Sequence, residues 1–205
     1  LMAAVGDENA ELLEAIYSPT LYRWRKTDVG DIVKGSSVNF YEGVDRKEVD
    51  DFYAAMADPN DREPVSYGLN SKLVKGDDGV IREDVYKIDG LYGPAIEKIV
   101  GELSLAAEVA ESELQKQYIS TLVDYYRTGD LRLWDKYNIE WVKDTLGTVD
   151  FINGFIEDYN DPLGRKATWE GLVNVRDEEA SQRTVKLSEN AQWFEDHSPV
   201  DPRFR

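Results

Sequence analysis

Apolar positions along the chain recur with two periods, and the switches between them lay out the elements. Leu12, Leu13, Ile16 and Tyr17 form a short stripe that predicts a helix over Asp7 to Tyr17, ended by Ser18-Pro19. Gly30 to Gly43 reads as loop. Asp45 is suited to cap a helix through Met56, with Val49, Phe52, Tyr53 and Met56 on one face, and Asp58-Pro59-Asn60-Asp61 stops it. From Pro64 to Ile88 the period shortens to two. Val65, Tyr67, Leu69 and Leu73 alternate with polar or small residues, Lys75-Gly76-Asp77-Asp78-Gly79 supplies a turn, and Val80 to Ile88 returns, which predicts a β-hairpin.

Helical spacing resumes at Gly93-Pro94, where proline in the first turn lacks only an N–H that would be unpaired anyway. Ile96, Ile99, Val100, Leu103, Ala106, Ala107 and Ala110 form one buried face. Leu114, Tyr118, Ile119, Leu122 and Tyr125 continue a stripe, in a second helix or an extension of the first. Gly129 suits the end of that helix and Asp130 the cap of the next, which carries Trp134, Tyr137, Trp141 and Val142 at helical spacing and reads as core. Phe151 to Tyr159 and Ala167 to Val175 read as strands. A final helix starts near Asp177, with Ala180, Thr184, Leu187, Ala191 and Phe194 inward, and Ser198-Pro199 breaks it. The sum is an α+β fold, mostly helical, with a β-hairpin and two further strands. Helices and loop occupy 1–60, the hairpin 61–90, helices 91–147, two strands 150–177, and a helix with its tail 178–197.

The stretch Phe151-Ile-Asn-Gly-Phe-Ile-Glu157-Asp-Tyr159-Asn-Asp-Pro162-Leu-Gly164 carries the candidate chemistry. It begins apolar, turns acidic and aromatic, and stops at Asp161-Pro162-Leu163-Gly164, a turn signal. On a regular strand Phe151, Asn153, Phe155, Glu157 and Tyr159 share a face, and Glu157 and Tyr159 project side by side, roughly 6.6 Å apart. A carboxylate and a phenol so placed suit two points of an extended peptide: its ammonium, and a carbonyl about one dipeptide away. Asn160 and Asp161 are suited to supporting the loop.

Charge and residue usage narrow the alternatives. The formal net charge of −17 argues against nucleic acid and against an anionic membrane surface, because both need Lys and Arg. The basic-aromatic Tyr22-Arg-Trp24-Arg-Lys26 is therefore read as packed rings with paired charges. With no Cys there is no disulfide framework and no thiolate metal site. The single His197 has no histidine partner at ligand spacing. Glu42-Gly-Val-Asp45 and Asp177-Glu-Glu179 lack calcium-loop spacing and read as solvated faces. Gly76-x-x-Gly79 is not followed by a helix or by Lys-Ser/Thr, which argues against a phosphate loop. No run of about 18 apolar residues appears, and Leu1-Met2-Ala-Ala-Val lacks a basic leader region, so a soluble, cytoplasmic protein is the expectation. Both ends read like those of an excised fragment.

Gly154-Phe-Ile-Glu157-Asp-Tyr159-Asn-Asp-Pro162-Leu-Gly164, followed by Trp169-Glu170-Gly171, resembles the segment upstream of the zinc motif in the dipeptidyl peptidase III family. Leu91-Tyr-Gly-Pro-Ala-Ile-Glu-Lys-Ile-Val100 is similar to the start of a helix in that family. Thr128-Gly129-Asp130 and the tail from Asn190 to Phe204 resemble its bacterial branch. The resemblance implies a lower-lobe piece whose strands are part of a small barrel. It implies that Glu157 binds the free α-amino group of a peptide and that Tyr159 contacts the substrate near the scissile carbonyl, stabilising the transition state. It implies zinc in the parent enzyme, held by a His-Glu-x-x-Gly-His motif that is not in these 205 residues. The expected partners are then a peptide N-terminus and the remainder of the parent chain with its zinc lobe. The fragment itself is expected to hold no cofactor and to be inactive. A standalone, non-catalytic α+β binding module is the rival reading.

Overall fold

A computed structural model describes residues 10–17 and 30–204. Ser18-Pro19, the Tyr22–Lys26 cluster and the first residues of the first expected helix lie outside them. Helix α1 (Ala10–Tyr17) leaves Ile16 and Tyr17 exposed. The stretch read as loop contains a two-residue strand, β1 (Tyr41–Glu42). Asp45 then caps α2 (Arg46–Met56) as expected: its carboxylate accepts from the Glu48 amide, and Glu48 accepts from the Asp45 amide in return. Val49 and Tyr53 are buried, while Met56 turns toward solvent. Asp45 is thus a cap, and Glu42 pairs with Lys72, so the acidic pair is more than a solvated face.

Strands β2 (Ser71–Lys75) and β3 (Ile81–Val85) form the hairpin around the expected turn, with Ser71 opposite Val85 and Lys75 opposite Ile81. β1 adds in parallel to β2, giving the order β1-β2-β3. The hairpin is shorter than the alternation predicts, because Val65 to Leu69 folds as turns. The Tyr67 amide donates to Val65, the Leu69 amide to Ser66, and Gly68 takes a φ of 93°, with the Tyr53 ring 2.7 Å from where a Cβ would be. Only glycine fits there, and its backbone reverses the chain before a strand can form.

Three helices build the main core. α3 (Gly93–Glu108) contributes Ile96, Val100 and Leu103; α4 (Glu113–Thr128) contributes Tyr118, Ile119, Leu122, Tyr125 and Tyr126; α5 (Leu131–Trp141) contributes Trp134 and Tyr137. Ser112 caps α4 through the Gln115 amide, so the long stripe is two helices. Gly129, at φ 76°, closes α4, and Asp130 caps α5. The aromatic stripe is core, apart from Val142, which is exposed just past α5.

Strands β4 (Val149–Glu157) and β5 (Thr168–Val175) pair antiparallel as a second, separate sheet that lays Phe151, Phe155 and Ile156 on the helical core. α6 (Glu178–Glu189) follows, capped by Asp177, and then α7 (Ala191–His197). The expected single helix breaks at Asn190, and the expectation that Leu187 and Phe194 point inward is overturned: neither helix buries a residue. Their spacing is amphipathic, but no element among the described residues covers their apolar face. A second, smaller core of Val33, Val44, Val49, Tyr53 and Leu73 packs α2 on the three-stranded sheet. No described helix is long and apolar enough to cross a membrane.

Candidate functional site

The end of β4 is fixed from beneath by the helices. Gly154 lies flat on Trp134: a Cβ there would sit 2.2 Å from the indole Cη2. Beside it, the indole N–H of Trp169 donates to the Tyr126 hydroxyl at 3.0 Å, and that hydroxyl donates to Asn153 Oδ1 at 2.5 Å. One buried phenol therefore ties β5, α4 and β4 together.

Regular alternation does not carry through to Glu157. Phe155 faces Trp169 on β5, but the next pair is Glu157 with Thr168, so Ile156 is an extra residue and the ladder is bulged. Without the bulge, Glu157 would share the face of Phe155, which is buried in the helical core. With it, Glu157 pairs with Thr168 out of step with Phe155, and the residue is half-buried. The strand ends at Glu157, so the prediction that Tyr159 stands beside it on the same strand is corrected. Tyr159 lies in the following turn and is 61% exposed, and the two-residue strand repeat does not set its distance from Glu157.

A cavity of about 420 Å³ is walled in part by Phe155 and by Thr168, the strand partner of Glu157; Glu157 and Tyr159 are not among its wall residues. Its other walls include Phe40, Tyr86, Tyr92 and Trp169. Tyr92 adopts a left-handed φ of 63°, a strained conformation for a bulky residue, which puts its ring 5.3 Å from that of Tyr86. A second hollow of about 590 Å³ runs on between α3 and the β4–β5 sheet, and Ile99 and Trp169 wall both.

The turn carrying Tyr159 is held by a residue that sequence reasoning assigned only a supporting role. Asp161 is fully buried, and its carboxylate accepts from the Tyr41 hydroxyl at 2.7 Å and from the amides of Leu163, Arg165 and Lys166. Burial, and next the Asp161 charge, push the Tyr41 phenol far up, so it stays a donor. Lys166 was not singled out in the sequence. Its ammonium is fully buried and donates to the Tyr53 hydroxyl at 2.7 Å, to the Ser71 carbonyl at 2.9 Å and hydroxyl at 3.1 Å, and to the Gly68 carbonyl at 3.2 Å. Tyr53 and Ser71 in turn donate to Glu83. Burial pushes the Lys166 ammonium down to about 8, against the upward pull of Glu83 and Asp161. Every side-chain partner of this lysine lies about a hundred residues upstream, so no local pattern signals it.

Among the described residues no three His, Cys, Asp or Glu side chains converge on a metal position. His197 is exposed, its ring is stacked on Trp193, and its Nδ1 lies 2.8 Å from the Trp193 carbonyl. These residues do not fit a catalytic zinc site.

The model of peptidase family M49 matches residues 8–205. Dipeptidyl peptidase 3 of Dictyostelium discoideum is 33% identical over 124 residues, 59% of this chain and 18% of that protein. The Homo sapiens protein of the same name is 28% identical over 115 residues, 56% of this chain and 16% of its own length. The chain thus spans less than a fifth of these relatives. Two solved structures share the fold: dipeptidyl-peptidase III from Corallococcus sp. strain EGB (TM-score 0.54, 24% identity, 82% of this chain and 30% of that one) and DPP III from Caldithrix abyssi (TM-score 0.58, 21% identity, 89% and 33%).

Proposed function

We propose, proceeding from the fact that this chain belongs to peptidase family M49, a family of zinc metallopeptidases, that it forms the part of a dipeptidyl peptidase III-like enzyme that holds the amino end of a peptide. Glu157 takes the free α-amino group, and Tyr159 reaches the substrate near the scissile carbonyl. The observation that supports this reading is the bulge at Ile156, which pairs the half-buried Glu157 with Thr168, itself a wall residue of the aromatic-lined cavity.

A half-buried carboxylate facing an ammonium makes a charge-assisted hydrogen bond, stronger than a neutral one. A blocked N-terminus would leave the same carboxylate desolvated and unpaired, which selects for free amino ends. A phenol aimed at a developing oxyanion lowers the barrier rather than merely binding substrate. Zinc in this family polarises a carbonyl and activates water when bound; the ligands for it would come from further polypeptide, and the chain alone would be inactive.

The exposed apolar surface supports further polypeptide over a standalone binding module. Leu172, Val173 and Val175 on β5 and Leu187, Trp193 and Phe194 on α6 and α7 are exposed, and among the described residues no third strand pairs with the β4–β5 sheet. Remaining strands of a small barrel and the zinc lobe would cover them.

Glu157→Gln in the longer enzyme tests the reading. Efficiency (kcat/KM) on dipeptidyl substrates with a free amine is expected to fall about 10- to 100-fold, the range for losing a hydrogen bond to a charged group. Unchanged efficiency would remove Glu157 from the site.

A further inference from the structure

The connection from Asp158 to Ala167 begins immediately after Glu157, contains Tyr159, and is clamped twice. Asp161 draws three of its own amides inward and binds Tyr41 of β1. Lys166 reaches Tyr53 of α2, Ser71 at the start of β2 and Gly68 before it, and its ammonium lies 5.5 Å from the centroid of the Tyr41 ring. Arg165 lies over the Tyr53 ring, 4.4 Å from its centroid, and donates to the Tyr67 carbonyl. The Ala167 amide then donates to Leu69. The turn that bears the site is thus pinned at its far end to α2 and the three-stranded sheet, and at its near end to the helical core through β4.

A buried ammonium is a costly way to hold a loop; apolar residues of similar volume often do as well or better for stability alone. Its advantage is directional. Three protons must meet acceptors fixed on two separate elements, so the ammonium allows one seating of the connection.

We propose that Lys166 is a positioning residue for the peptide-binding site, setting where Glu157 and Tyr159 stand by locking the Asp158–Ala167 connection to Tyr53, Ser71 and Gly68. The inference rests on the reading of Glu157 and Tyr159 as substrate contacts. Asp161 and Lys166 spend their hydrogen bonds on protein partners, so each acts on the site through the backbone between them.

The test compares wild type, Lys166→Met, Lys166→Arg and Glu157→Gln in the longer enzyme, using matched substrates with a free and an acetylated amino end and counting only folded, titrated sites. Lys166→Met is expected to lose about tenfold of the preference for the free amine, in KM more than in kcat, because small displacements of a charged contact weaken it steeply. Lys166→Arg restores part of that preference. Amide hydrogen exchange quickens over 158–166 and stays unchanged in α4. A purely structural lysine would lower the folded fraction and leave KM and the preference as in wild type, which would overturn the proposal. If Lys166→Met does not fold, Tyr53→Phe removes one acceptor more gently, and a preference unchanged in that variant, with exchange over 158–166 also unchanged, overturns it equally. Loss of preference in Lys166→Met but none in Glu157→Gln would refute the amine-binding reading, while the exchange over 158–166 still judges the positioning role by itself.

Discussion

At the scale of single residues, burial of the Lys166 ammonium makes stability depend on pH in a way that can be signed. The ammonium titrates at about 8 in the folded chain and near 10.5 when unfolded. Between those values the unfolded chain binds more protons, so stability attributable to this residue rises with pH across that window. The groups around it are Glu83, Asp161 and Arg165, with the phenols of Tyr41 and Tyr53. Burial, followed by the neighbouring carboxylate, pushes both phenols well above the window, so they do not titrate within it. Denaturant unfolding of wild type and Lys166→Met at pH values from about 7 to 9.5 is expected to show the difference moving in favour of wild type as pH rises. A constant difference, or one moving the other way, would contradict the assignment. Lys166 was invisible in the sequence for a physical reason: a buried lysine is recognised by its acceptors, and these come from Tyr53, Gly68 and Ser71.

Among the elements, β4 is the one whose seating decides the site. Gly154→Ala should drive a methyl into Trp134 and lift the strand, costing about 1–3 kcal/mol as overpacked cores do, measurable as a lowered midpoint in denaturant. An unchanged midpoint would mean that β4 does not rest on α5 as described. Most elements were legible because their signals are local. Asp45, Gly129 with Asp130, and the Lys75–Gly79 turn each satisfy backbone groups within a few residues, whereas the Ser112 cap that splits the long stripe into two helices was not read. Failures arose where a periodic pattern needed a distant partner. Val65, Tyr67 and Leu69 alternate but pair with no strand among the described residues, and Gly68 reverses them against Tyr53. Leu187 and Phe194 keep helical spacing, yet no described element covers them. Of the candidate site, the strand and the turn that follows it were readable from residues 151–164. The bulge at Ile156 was not, because it follows from the pairing with Trp169 and Thr168 across the sheet.

For the molecule as a whole, the proposed function makes this chain one face of a peptide cleft: helices that hold a bulged strand, and a doubly clamped turn beyond it. The acidic balance suits this role, since a net charge of −17 favours the approach of cationic peptide ends. The proposed function depends on Glu157 meeting an ammonium. The direct measurement is a cycle of four affinities in the longer enzyme: wild type and Glu157→Gln, each with a hydrolysis-resistant dipeptidyl ligand bearing either a free or an acetylated amino end. The account predicts a coupling of about 1.5–3 kcal/mol between the carboxylate and the amine, as for hydrogen bonds to charged groups. A coupling near zero, with both ligands weakened equally or not at all, would contradict it.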